Sequence, residues 1–320
     1  MDTKSSAKGW AIQAFAEFIG TAMFLYLAVG GADSVSRGVA GMNILGQSFA
    51  FGVGLMVTAW AFFRISGSHF NPAISLSSLI TGHISVPKFV LYFIAQILGA
   101  LLGVALVRGT TPSTESIGQI NTLMNGQSIA RGFFLEFFLT ASLCFVYHMV
   151  VHEKNRSTFM AALPYGFALF SCHLFATRYT DAAINPARAF ATSVVARNFT
   201  REHWIYWFGP LTGAIFAAAL HILFRFLDYD HHNAGIDAEN QAQYMRAQGA
   251  YYGDVNTTTF AGHSNHIENE VSHGNHIDNS VSHGNRIDNG VSHGNFVNHG
   301  DQVNQVHQTP AGTTTTTTAR

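Results

Sequence analysis

Two identical triplets, Asn71-Pro72-Ala73 and Asn185-Pro186-Ala187, are the residues best suited to hydrogen-bond a small ligand. Asn is a preferred N-cap and Pro is favoured at the first helical position, so each triplet predicts the start of a helix. The apolar segments that begin there, Pro72–Ile80 and Pro186–Ala196, have only nine and eleven residues. At about 1.5 Å per residue neither crosses a hydrocarbon core of ~30 Å, but the two placed end to end nearly do. We therefore predict two half-helices that meet at their N-termini, where the Asn amides donate hydrogen bonds to a small polar molecule.

Three charged residues lie inside otherwise apolar segments: Glu17, Glu136 and Arg188. Charges in such segments are costly unless paired, so each one predicts a functional or structural role. Arg188 follows Asn185 by three residues and should project from the first turn of the second half-helix. The two carboxylates suit either a proton relay or a brace for the backbone that precedes each half-helix. Their matching positions near small residues favour the brace.

The residues that suggest catalysis or metal binding do not form a recognisable set. Ser66, Ser68 and His69 lie close together in the sequence, but an acid to orient the histidine is not evident. The two cysteines, Cys144 and Cys172, have neither a zinc-type nor a disulfide-framework spacing. We therefore predict that the protein is not an enzyme and has no catalytic residues, no cofactor and no metal.

Charge is scarce and unevenly distributed. Only 11% of the residues are charged, against roughly 25% in soluble proteins, and 48% are hydrophobic. The 17 basic and 18 acidic residues nearly cancel, which argues against a nucleic-acid partner. Residues 1–228 hold 14 basic and 9 acidic residues, whereas 229–320 hold 3 and 9. The modest mean hydropathy of +0.17 is thus an average over an apolar body and a polar tail.

Segments long enough to cross a bilayer occur only before residue 229. There are six, at roughly 11–32, 43–63, 87–107, 131–151, 159–176 and 204–227. Residues 1–10 precede them as a short N-terminal segment. Basic residues divide equally between the two sides, so the positive-inside rule does not decide the orientation.

Residues 229–320 form a tail that contains ten-residue repeats at 271–300, such as VSHGNHIDNS and VSHGNRIDNG. Each repeat carries too few apolar residues to offset the entropy of ordering, so we predict disorder. A weak metal-binding or pH-sensitive role for the tail histidines stays open.

The apolar body 11–228 is an internal repeat with halves at 11–108 and 131–228. Glu17 and Glu136 lie in matching surroundings, and Asn71 and Asn185 each precede a Gly-Ala pair by 28 residues. Each half has three spans and one half-helix. Because three is odd, the second half must lie upside down relative to the first. We predict an all-α membrane protein of six transmembrane helices plus two re-entrant half-helices in an inverted 3+3 repeat.

With these motifs the sequence resembles the aquaporin (major intrinsic protein) family over about residues 10–228. The resemblance is carried by both Asn-Pro-Ala triplets, by Ile184–Arg188, by the paired glutamates and by His203–Trp207. The segment Arg64–Gly67 looks like fungal members.

The resemblance implies a selectivity filter at the outer mouth of a pore, formed by Phe51, His173, Ala182 and Arg188. A filter of Phe, His and Arg is typical of the water-selective type. The family pattern thus implies a passive water channel that excludes protons and ions, with a facilitator of glycerol or another small neutral solute as the alternative. It also implies water as the permeant and a homotetramer in the lipid bilayer. We expect a plasma-membrane location with both termini cytoplasmic, and an internal membrane stays open as the alternative.

Overall fold

Helices are the regular elements of this chain in the computed structural model. The structure describes residues 3–36, 43–111, 119–153 and 157–229, and these residues contain no strand. The predicted all-α fold is therefore confirmed. Apart from residue 229, the predicted disordered tail 229–320, with its repeats at 271–300, lies outside the described residues.

Six long helices match the six predicted spans. They are α1 (Thr3–Ser36), α2 (Asn43–Ser66), α4 (Val86–Thr110), α5 (Ile129–Tyr147), α6 (Ala162–Thr180) and α8 (Ile205–Phe226). A π-helical turn, His148–His152, continues α5. Within the described residues, five of the six are long and apolar enough to cross a membrane by themselves. The sixth, α6, has 19 residues and carries several polar side chains, which lowers its hydropathy.

Two short helices, α3 (Pro72–Ile80) and α7 (Pro186–Ala196), have the bounds that the sequence predicts. Both begin with Pro, and both have an extended Asn as N-cap. The Oδ1 atom of Asn71 accepts a hydrogen bond from the Ala73 amide at 2.9 Å, and that of Asn185 accepts from the Ala187 amide at 2.9 Å. The caps satisfy backbone donors that a helix start leaves without partners.

The internal repeat is visible in the packing. In the first half α1 packs against α2 and α4, and in the second half α5 packs against α6 and α8. Each short helix packs mainly on a long helix of the other half: α3 on α8, and α7 on α4. Helices α2 and α6 also pack together and join the halves. Each half therefore supplies part of the surroundings of the other half's short helix.

Equivalent glycines allow the closest helix contacts in the two halves. A Cβ atom on Gly99 of α4 would lie 2.3 Å from the carbonyl oxygen of Phe18 in α1. A Cβ atom on Gly213 of α8 would lie 2.3 Å from the carbonyl oxygen of Phe137 in α5. Small residues let helix backbones approach closely in membranes. These contacts hold α4 and α8 against the helices that carry Glu17 and Glu136.

We predict that Gly99→Ala lowers the thermal stability of the detergent-solubilised protein. The added methyl group must displace a backbone carbonyl, and overpacking of this kind costs roughly 1–3 kcal/mol. Gly109→Ala is the matched control, because it lies in the same helix and a Cβ atom there meets nothing within 4 Å. Equal melting temperatures for the two variants would contradict the packing argument.

Candidate functional site

The two short helices meet through reciprocal hydrogen bonds at their N-terminal tips. The side-chain amide of Asn71 donates from Nδ2 to the carbonyl oxygen of Ile184 at 2.9 Å. The amide of Asn185 donates to the carbonyl oxygen of Phe70 at 2.8 Å. An Asn amide has two N–H groups, so each side chain keeps one donor beyond this bond. Both Asn side chains line a buried cavity.

Glu17 is fully buried and binds the backbone that precedes α3. Its Oε1 accepts from the Ser66 hydroxyl at 2.5 Å and from the His69 amide at 3.0 Å. Its Oε2 accepts from the Phe70 amide at 2.7 Å and from the Gln96 side chain at 2.9 Å. Four donors on one carboxylate compensate for its removal from water.

Glu136 has the equivalent position before α7 and is also fully buried. Its Oε1 accepts from the Thr180 hydroxyl at 2.6 Å and from the Ala183 amide at 2.9 Å. Its Oε2 accepts from the Ile184 amide at 2.7 Å. In both halves, therefore, one carboxylate binds two consecutive backbone amides just before the Asn cap.

The backbone that these carboxylates bind is strained. Phe70 and Ile184, each directly before an Asn cap, have φ angles of +50° and +55°. The left-handed region costs a residue with a Cβ atom roughly 1–2 kcal/mol. This conformation turns the carbonyl groups of Phe70 and Ile184 to where the opposite Asn amides donate. Two chains of contacts result, from Glu17 through Phe70 to Asn185 and from Glu136 through Ile184 to Asn71.

Arg188 lies on the first turn of α7 and is 1% exposed. Its Nη2 is 2.8 Å from Oδ2 of Asp181, and its Nη1 donates to Oδ1 of Asn121. Both partners come from loops, so the guanidinium is fixed from two directions. Its Nε has no protein partner among the described residues, and the side chain lines the cavity. A buried donor of this kind is available to a polar molecule in the cavity.

Two of the other predicted filter residues, Phe51 and His173, lie beside Arg188. The rings of Phe51 and His173 are stacked with centroids 3.9 Å apart, and the guanidinium lies 5.2 Å from the Phe51 centroid. All three side chains line the cavity. Ala182 is fully buried in the same region, but the residue of that loop that lines the cavity is its neighbour Ala183.

The cavity itself is narrow and has two kinds of wall. Apolar side chains form one part of the lining, and Asn71, Asn185, Arg188, His69 and His173 supply the polar part. About 10 Å³ is available to the centre of a water molecule, which is about the volume that one water requires. The arrangement can thus hydrogen-bond a very small polar molecule against an otherwise apolar surface.

The Ser66, Ser68 and His69 cluster does not form a catalytic arrangement. The Ser66 hydroxyl donates to Glu17, and the Ser68 hydroxyl donates to the carbonyl oxygen of Ala59. The Nδ1 atom of His69 lies 2.9 Å from Oγ of Ser75, on the adjacent half-helix. Neither serine hydroxyl therefore bonds to the histidine in the described structure.

Three functional partners were missed in the sequence. Asp181 and Asn121 fix Arg188, and Gln96 joins Glu17 to the Ser75 hydroxyl. Asp181 precedes Arg188 by seven residues in a loop, where helical periodicity gives no signal. Asn121 and Gln96 come from distant segments, and a single sequence does not indicate such pairings.

Comparison with known proteins agrees with this fold and geometry. A family model described as "Major intrinsic protein" matches residues 4–221. A probable aquaporin-5 of Gibberella zeae is 38% identical over 251 residues, which cover 74% of this chain and 46% of that protein. Aquaporin-1 of Laccaria bicolor is 40% identical over 222 residues, covering 67% of this chain and 71% of that protein. The chain thus spans about half the length of the Gibberella zeae relative.

A solved structure has a similar fold. The aquaglyceroporin from Plasmodium falciparum has a TM-score of 0.62 and 20% identity, covering 69% of this chain and 99% of that one. At this identity the likeness concerns the fold alone. The family match over residues 4–221 and the fungal relatives establish that the chain belongs to the major intrinsic protein family, the family of the aquaporins.

Proposed function

We propose that this aquaporin-family channel is a passive transmembrane water channel that excludes protons and ions. The observation that carries the proposal is the pair of Asn amides, each with one remaining N–H, in a cavity with room for about one water. A coupled transporter or pump requires a carboxylate that changes its access. Glu17 and Glu136 instead have three or more protein donors each and are fully buried.

Exclusion of protons follows from the direction of the donors. A water molecule that accepts hydrogen bonds from both Asn71 and Asn185 has its own hydrogens directed away from the centre. This orientation interrupts the donor–acceptor chain along which a proton hops. The N-terminal tips of α3 and α7 add partial positive charge at the same point, which repels cations. Arg188 also lies nearby, with its charge paired to the Asp181 carboxylate at 2.8 Å.

Selectivity for water over glycerol is assigned to Phe51, His173, Ala182 and Arg188. The stacked Phe51 and His173 rings occupy space that a larger solute needs, and Arg188 keeps donors for a water entering the cavity. The alternative is a facilitator of glycerol or another small neutral solute. The fold neighbour from Plasmodium falciparum is described as an aquaglyceroporin, so the transport experiment must measure glycerol as well as water.

We assign the brace role to Glu17 and Glu136, and the water contact to the two triplets 71–73 and 185–187. The channel domain is 11–228, with halves 11–108 and 131–228 and a cytoplasmic tail at 229–320. The family implies a homotetramer. We assign the chain to the plasma membrane with both termini cytoplasmic, with an internal membrane as the alternative. Exposed apolar side chains on the outer helix surfaces, such as Phe138 and Phe175, fit contact with lipid or with a second copy.

The direct test measures water and glycerol transport of the purified chain in liposomes. We expect osmotic shrinkage well above that of empty liposomes, because the Asn donors and the cavity size suit water. Glycerol uptake should equal that of empty liposomes, because the stacked rings exclude it. Light scattering records both fluxes. Rapid glycerol entry would favour the glycerol facilitator instead.

We predict that His173→Gly admits glycerol while keeping water transport. The change removes one of two stacked rings from the narrow region and so widens it. Ser171→Gly is the control, because it also introduces a glycine into α6, with a similar loss of helix propensity, but removes an exposed side chain. Glycerol flux that is the same in both variants would contradict the filter assignment.

We predict that Glu17→Gln and Glu136→Gln each reduce water permeability per folded protein and lower the melting temperature. The new NH₂ group replaces an oxygen that accepts hydrogen bonds from backbone N–H groups, so those donors lose their acceptor. Hydrogen bonds to a charged acceptor are worth about 1.5–3 kcal/mol. Glu202→Gln, at a partly exposed turn, removes the same charge away from the site and should leave both quantities near wild type. If the two buried variants behave like this control, the brace assignment fails.

A further inference from the structure

Three histidines converge at the end of the bundle where α8 ends. His83 lies between α3 and α4, and His148 and His152 lie on the π-helical turn after α5. One ring nitrogen from each histidine lies within 4.8 Å of the others. His148 is buried, His152 is partly buried and His83 is exposed, so the cluster is open to solvent on one side. Neutral imidazoles in such a group are typical ligands of transition metals.

Hydrogen bonds to hydroxyl groups orient two of the rings. Nε2 of His148 lies 2.5 Å from Oγ of Ser77 on α3, which leaves Nδ1 directed at the cluster. Nδ1 of His83 lies 2.8 Å from Oγ1 of Thr81, which leaves Nε2 without this partner and available as a metal ligand. A hydrogen bond on the second ring nitrogen fixes the orientation of a metal-binding histidine, although carboxylates, backbone carbonyls and water are the commoner partners.

The third ring completes the convergence. Nδ1 of His152 is 2.8 Å from Nδ1 of His148, the distance of a hydrogen bond, so these two nitrogens face each other and must separate by about 0.6 Å to bind one zinc ion. Zinc lies ~2.0–2.1 Å from each His nitrogen, so tetrahedral ligands are about 3.4 Å apart. The His83 ring is stacked on His152 with centroids 3.6 Å apart, and it must turn to direct its nitrogen at the ion. Its exposure leaves room for that rotation.

The neighbouring groups fit a cation that prefers nitrogen. Glu153, the nearby carboxylate, is already 2.7 Å from Nε2 of His221 and 3.6 Å from Arg225. Among the described residues around the cluster, oxygen-preferring Ca²⁺ and Mg²⁺ therefore lack a suitable ligand set.

We propose that His83, His148 and His152 bind one divalent transition metal ion, with Zn²⁺ as the reference ion and water as the remaining ligand. The site ties the segment after the first half-helix to the end of α5. It lies away from the cavity that Asn71 and Asn185 line, and it does not depend on which solute the channel conducts.

The test must separate this site from the tail, because 10 of the 17 histidines follow residue 228. All four tryptophans precede residue 229, so tryptophan fluorescence during heating reports on the unfolding of the helical body. The full chain, without an added histidine tag, is melted in detergent with a chelator or with Zn²⁺ in excess over all its histidines. An ion that binds the folded body raises its melting temperature.

We expect Zn²⁺ to raise the melting temperature of the wild type and to lose this effect in His83→Ala and in His152→Ala. Neither variant removes the buried His148, and each must first show a cooperative transition in chelator. His203→Ala is the matched control, because this histidine lies at the opposite end of α8 and should keep the full rise. No rise in the wild type, or equal rises in wild type and both cluster variants, would overturn the proposal.

Discussion

Backbone without regular hydrogen bonds survives inside a membrane only if the protein supplies the missing partners. The segments before α3 and α7 meet this constraint in the same way. A buried glutamate accepts hydrogen bonds from two consecutive backbone N–H groups. The strained residue before the Asn cap accepts a hydrogen bond at its carbonyl oxygen from the Asn of the other half. The two halves of the chain therefore fix each other. The position of each Asn amide depends on a carboxylate in the opposite half.

This mutual dependence connects packing with transport. Gly99 and Gly213 let α4 and α8 approach the helices that carry Glu17 and Glu136, and so keep both carboxylates in reach of the turns. Once the turns are fixed, the remaining Asn N–H donors are held in place at the cavity. In the described helical body, the buried carboxylates and the guanidinium are each surrounded by dedicated donors or acceptors. The shortage of charge in the sequence thus reflects how few positions can supply such partners.

The sequence contained the signals for the half-helices and not for several side-chain partners. Asn followed by Pro specifies where a helix begins, so the bounds of α3 and α7 were predictable from local rules. Arg188 was predictable as a buried charge, but its partners Asn121 and Asp181 lie in loops without periodicity. The histidine cluster was missed for a similar reason: His148 and His152 are four residues apart, but His83 joins them only through the tertiary fold.

The central claim is that two Asn donors hold a passing water so that protons cannot follow it. Its most direct measurement records water flux and proton flux in the same proteoliposomes, the first by light scattering and the second by an enclosed pH-sensitive dye. The account predicts water permeability that rises with the amount of reconstituted protein while proton flux stays at the level of empty liposomes. A proton flux that rises in parallel with water permeability would contradict it.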